Sequence, residues 1–97
     1  MSVRQLPISD YTQVVDEVTQ LVDVREPVEL EDGVLPGAVN IPLGELPGRI
    51  GELDADRRVV LVCRSGGRSG KAADWLGQMG FADVVNLTGG MLAHRVA

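Results

Sequence analysis

The stretch VVLVCRSGGRSGKAADW, residues 59–75, reads as strand, loop and helix in succession. Val59 to Cys63 is apolar without alternation, the pattern of a strand covered on both faces, as in a parallel sheet with helices above and below. From Ser69 to Met79 the spacing turns helical: Ala72, Leu76 and Met79 fall on one side, with Trp75 beside them. Gly80 suits the left-handed position after that helix, and Phe81 can fold back over its last turn. The loop between strand and helix opens with Cys63, the only cysteine of the chain.

Outward from this centre, the same alternation continues. Val3–Leu6 is expected to be a short strand broken by Pro7. Ser9 or Asp10 can cap a following helix, with Val14, Val15 and Val18 as its buried stripe. LVDV (21–24) reads as a strand that carries one polar residue, Asp23. Residues 25–42 are rich in Pro, Gly and acid and read as loop, with AVNI (38–41) as a strand within it. LGELPGRIGEL (43–53) supports only short, irregular helix, and Asp54 and Asp56 mark a turn. DVVNL (83–87) is another buried strand, and 89–97 begins a last helix. Strands alternating with helices predict an α/β domain with a mainly parallel sheet, whose ligands bind beyond the carboxyl ends of the strands. Cys63 stands at such an end.

The 97 residues suit one small domain, 1–97, and 44% apolar with 24% charged residues is an ordinary globular composition. A net charge of −5 argues against nucleic acid and against an anionic membrane surface as partners. Any anion site must then be local. The apolar runs are too short to cross a bilayer, and the opening MSVRQLPISD lacks a leader's apolar core. A lone cysteine makes no internal disulfide, so the expected home is the cytoplasm, with a free thiol.

The loop chemistry follows from residue type. Gly66 and Gly67 let the backbone curl, and successive amides of a tight turn can form a concave anion site. The helix beginning near Ser69 adds unpaired N–H groups and the positive end of its dipole. Arg64 and Arg68 add full charges. A free thiol has a pKa of about 8.5, so little of it is thiolate near neutrality; the ring of donors would stabilise the anion. Cys63 by itself also fits a small core residue at a strand end, but such a residue does not require two glycines and two arginines after it. GGRSGKA is not a Walker phosphate loop: Ser65 occupies the first glycine position and Ala72 the Ser/Thr position. One His and one Cys cannot close a metal site, and no cofactor is called for. His94 reads as a surface histidine rather than as a partner for Cys63.

CRSGGRS (63–69) resembles the active-site loop of rhodaneses, the sulfurtransferases. LVDVRE (21–26), LPGAVNIPL (35–43) and the segment from Gly80 to Gly90 follow in that family's order. The resemblance covers nearly the whole chain. It implies a rhodanese-like three-layer α/β domain with a mostly parallel five-stranded sheet flanked by helices. It also implies a chemistry: the Cys63 thiolate takes the outer sulfur of thiosulfate or a related small anionic donor, sulfite leaves, and the persulfide then gives its sulfur to cyanide or to a thiol acceptor, small molecule or protein. Ser65, Gly66 and Gly67 would line the persulfide, Arg68 would face the anionic substrate and Arg64 would add field at the rim. Asp23, Arg25 and Ser69 would support the site, although Asp23 and Arg25 are equally readable as a structural pair. Related phosphatases space Cys and Arg as C-x5-R; here the spacing is C-x4-R, a tighter ring that favours sulfur. Val34 and His94 stand where many members have histidine and tryptophan. A persulfide carrier or sensor acting with a protein partner is the alternative function.

Overall fold

The computed structural model describes residues 3–94. Within them five strands form one sheet: β1 (Val3–Pro7), β2 (Gln20–Asp23), β3 (Val39–Asn40), β4 (Val59–Val62) and β5 (Val84–Thr88). The order is β1-β5-β4-β2-β3, and every pairing is parallel. Three helices, α1 (Leu46–Arg49), α2 (Gly67–Gln78) and α3 (Gly90–Ala93), and several 3₁₀ turns make up the rest of the regular structure among the described residues. The anticipated α/β architecture is present. Residues 95–97 of the anticipated last helix lie outside the described residues.

Alternating residues of the central strands explain why β4 shows no alternation in sequence. Val59 and Leu61 pack with Ala72, Ala73 and Leu76 of α2, whereas Val60 and Val62 pack with Ile8, Val14 and Leu35 on the opposite face. Successive side chains of a strand point to opposite faces, and here both faces are covered. All four β4 residues are fully buried, each worth about 1.5–3 kcal/mol of apolar burial. Leu21 and Val22 of β2 divide between the faces in the same way, as do Val84 and Val85 of β5.

The α2 helix starts two residues before the expected Ser69 and ends as expected. The Phe81 amide donates to Leu76 O and the Gly80 amide to Gly77 O, each at 3.1 Å, with Gly80 at φ +94° and Phe81 buried. These are the two bonds of a Schellman closure. Met79, expected on the buried side, is half-exposed at the helix cap.

The first helical segment differs from expectation. It is a six-residue 3₁₀ helix, Ile8–Gln13, without a side-chain cap from Ser9 or Asp10, and its buried residue is Ile8. Val14 is buried just beyond it, but Val18 is exposed. A polar turn explains the early stop. The Val18 amide and the Thr19 hydroxyl both donate to Asp16 Oδ1, and the Arg58 guanidinium donates to Val14 O. Such side-chain bonds offer the backbone an alternative to further helix.

Topology places the site. The chain leaving β2 goes outward to β3, and the chain leaving β4 goes the other way to β5. The segments after β2 and β4 therefore diverge from adjacent strand ends, which is the switch point where open parallel sheets bind ligands.

Candidate active site

Cys63 follows β4 directly and keeps its register, so its side chain falls on the same face as Val59 and Leu61, beneath α2. Arg64, Ser65 and Gly66 turn the chain back, and Gly67 already begins the helix. Only Gly66 of the two loop glycines has positive φ, +100°. A Cβ there would lie 3.2 Å from the Gly89 amide nitrogen, while one on Gly67 would meet nothing within 4 Å. The expectation that both glycines serve the curl is corrected: Gly66 makes the turn and Gly67 is an ordinary first helical residue.

The turn brings donors to sulfur. The Gly66 amide donates to Cys63 Sγ at 3.0 Å, and the Ser69 hydroxyl donates to it at 3.3 Å. Cys63 and Ser69 are both fully buried. Burial pushes the Cys63 thiol up, but the Ser69 hydroxyl and the amides of Ser69, Gly66 and Ser65 outweigh it, and its pKa lies below the ordinary value. Cys63 is thus a core residue and an anion-ready thiol at once; the two readings of the sequence are not exclusive.

Two further contacts fix the loop. Cys63 O and Arg64 O accept the amides of Met91 and Leu92, each at 2.9 Å, which ties the loop to α3. Gly90 makes that approach possible: a Cβ there would come within 2.5 Å of the Cys63 and Arg64 backbone. On the other side Gly66 O accepts the Gly70 amide at 3.0 Å and the buried Asn86 side chain at 3.3 Å. The sequence alone gave no chemical signal for Asn86, a polar residue inside an apolar strand.

The candidate supporting pair is buried and closely joined. Arg25 Nη2 lies 2.7 Å from Asp23 Oδ2, Arg25 Nε donates to both carboxylate oxygens at 3.0 Å, and neither residue is more than 2% exposed. Removing one partner of such a pair costs about 3–5 kcal/mol, because the other charge stays buried. The remaining donors of Arg25 reach Glu29 O at 3.1 Å and Gly33 O at 2.7 Å. The pair therefore holds the 3₁₀ turn Pro27–Asp32, not the cysteine itself.

That turn carries Glu29, which the sequence reading missed. Its carboxylate takes both terminal nitrogens of Arg68, at 2.6 and 2.8 Å. The Arg68 guanidinium and the Glu26 amide hold the Glu29 carboxyl down at about 2. Glu26 and Glu29 also form a reciprocal cap around Pro27, and this acidic i, i+3 spacing before a helical turn was the available signal. Arg68, expected to face an anionic substrate, faces Glu29 here. The Arg64 and Ser65 side chains are exposed.

Beside the loop lies a cleft of about 170 Å³ lined by Arg25, Glu29, Asp32, Val34, Arg64 and His94, among others. Val34 and His94, the two departures noted above, both line it. His94 meets Tyr11 edge-on, ring centres 5.9 Å apart, and makes no hydrogen bond to Cys63 among the described residues. Cys63 Sγ is covered and does not line the cleft.

A parallel α/β sheet here delivers a lone, donor-ringed thiol from its central strand to a helix N-terminus, which defines a cysteine-loop α/β domain. The chain belongs to the rhodanese-like domain family, whose model matches residues 9–95. It is 45% identical over 73 residues to a sulfurtransferase of Allochromatium vinosum, covering 75% of this chain and 68% of that protein. It is 36% identical over 97 residues to the thiosulfate sulfurtransferase GlpE of Shewanella oneidensis, covering 99% of this chain and 96% of the relative. The crystal structure of a rhodanese-like domain protein from Staphylococcus aureus superimposes with a TM-score of 0.83 at 29% identity, over 93% of this chain and 89% of that one. Among the described residues no helix is long and apolar enough to cross a membrane.

Proposed function

We propose that this chain is a sulfurtransferase that moves a sulfane sulfur from thiosulfate or a related persulfide donor to a thiol or cyanide through a Cys63 persulfide. The observation that carries the reading is the pair of hydrogen bonds to Cys63 Sγ from the Gly66 amide and the Ser69 hydroxyl. Donors preset around a sulfur favour its thiolate before reaction and accept negative charge as it returns. In the first step the Cys63 thiolate attacks the outer sulfur of thiosulfate, an S–S bond forms, and sulfite departs with the electron pair of the bond that breaks. No proton needs to move, consistent with a thiol that has no histidine at hand. In the second step an acceptor thiolate or cyanide takes the outer sulfur, and Cys63 leaves as thiolate into the same donors. Arg64 would form the rim, and the turn at Gly66 would place the amides of Ser65, Gly66 and Ser69 around the sulfur. The buried Asp23–Arg25 pair would act at a distance, through Glu29 and Arg68.

Incubation with thiosulfate and cyanide is expected to yield thiocyanate at a rate that Cys63→Ser abolishes. Equal rates for the two proteins would reject the proposal.

A second reading, a persulfide carrier that discharges slowly without a protein partner, is favoured by two observations: the sulfur is fully covered and Arg68 is already paired. It requires loading of Cys63 by thiosulfate but thiocyanate release much slower than loading.

A further inference from the structure

Asn86 is a buried polar side chain that the sheet itself does not need. It is 3% exposed and lies on the α2 face of β5, two residues on from Val84. Its Nδ2 donates to Gln5 Oε1 at 2.8 Å and to Gly66 O at 3.3 Å, and its Oδ1 has no partner among the described residues. An unpaired buried acceptor is costly, and an apolar side chain of like shape would avoid that cost. Nor would such a replacement orphan a neighbour: Gly66 O would keep the Gly70 amide at 3.0 Å, and Gln5 is exposed. Stability therefore does not account for Asn86, whereas its bond to the active loop does.

That bond falls on a peptide able to turn over. Gly66 O belongs to the Gly66–Gly67 peptide, which has glycine on both sides. A half-turn of this peptide changes only ψ of Gly66 and φ of Gly67, and it takes Gly67 from helical to positive φ, which glycine allows. As the peptide stands, Gly66 O points inward to Gly70 and Asn86. The Gly67 N–H, antiparallel to that carbonyl in a trans peptide, points away from them, with the unpaired N–H groups of the helix start. Turned over, the peptide would set a carbonyl oxygen among the donors that serve Cys63 Sγ. We propose that Asn86 is a positioning residue for sulfur transfer: it pins Gly66 O inward, so that N–H groups and not an oxygen face the sulfur. This rests on the reading of Cys63 as the thiolate that attacks the donor and later leaves.

The test compares the wild-type chain with Asn86→Leu, and with Asn86→Leu combined with Gly67→Ala. Asn86→Leu should keep the wild-type urea midpoint. Its thiolate absorbance should titrate about half a pH unit higher, and below that midpoint it should load from limiting thiosulfate about threefold more slowly. An alanine at 67 meets nothing within 4 Å but resists positive φ, so adding Gly67→Ala should return both quantities toward wild type. A folded Asn86→Leu protein with an unmoved titration would overturn the proposal. So would a displacement that Gly67→Ala does not reduce, the result expected of a general loosening. Where Asn86→Leu does not fold, deuterium exchange of the wild-type Asn86 side-chain amide decides: exchange slower than that of the exposed Gln78 supports the pin, and equal exchange overturns it. Failure of the wild-type chain to gain sulfur from thiosulfate would remove the persulfide reading alone, and the titrations would still decide the role of Asn86.

Discussion

At Cys63 two forces oppose each other. Burial alone would keep the thiol protonated, as it does for inert core cysteines. The donors from residues 65, 66 and 69 reverse the outcome, and the pKa falls below the ordinary value. Because the folded-state value is the lower one, the thiolate adds to folding stability above the free thiol's pKa of about 8.5. That contribution disappears as pH falls through the folded-state value. Thiolate absorbance followed against pH should therefore show a lower midpoint for the folded chain than for the urea-unfolded chain. Ser69→Ala, which deletes one donor and little volume, should move that midpoint upward. An unmoved midpoint would mean that the hydroxyl at 3.3 Å contributes nothing. Much at this scale was legible in sequence: the lone cysteine, the helix N-terminus and the adjacent Ser69. The occupant of Arg68 was not, because Glu29 lies 39 positions away and only the tertiary fold brings the two together.

At the scale of elements, the strand–loop–helix unit around β4 and α2 was legible because its signals agree: an apolar run, a glycine turn, a helical stripe and a Gly80 stop. Agreement fails where local polar bonds compete. The turn at Asp16–Thr19 halted the first helix before Val18, although the valine spacing there is helical. The loop glycines separate by the same logic. Gly66→Ala forces a side chain into left-handed backbone against Gly89 and should destabilise by about 1–2 kcal/mol. Gly67→Ala meets open space in a helical position and should stabilise by about 0.4–1 kcal/mol, by restricting the unfolded chain. Urea unfolding midpoints for the two variants should move in opposite directions; equal shifts would refute the division of roles between these glycines.

At the scale of the molecule, the sheet order collects the site. Divergence of the chain after β2 and after β4 puts the Asp23–Arg25–Glu29 arm next to the Cys63–Arg68 loop. The α/β class could be read from the sequence, and the resemblance added the five-stranded sheet. The pairing of β1 with β5 could not be read, since no local feature of so short a strand names a partner more than 75 positions on. The same order sets α3 against the loop through Gly90, so that the cysteine is braced from both ends of its turn. All of this geometry serves one claim, that Cys63 can hold a second sulfur among preset donors. Intact-mass measurement after exposure to thiosulfate and removal of excess donor tests it most directly. The wild-type chain should gain one sulfur atom, reversed by cyanide and missing from Cys63→Ser. An unchanged wild-type mass, or an equal gain on Cys63→Ser, would contradict it.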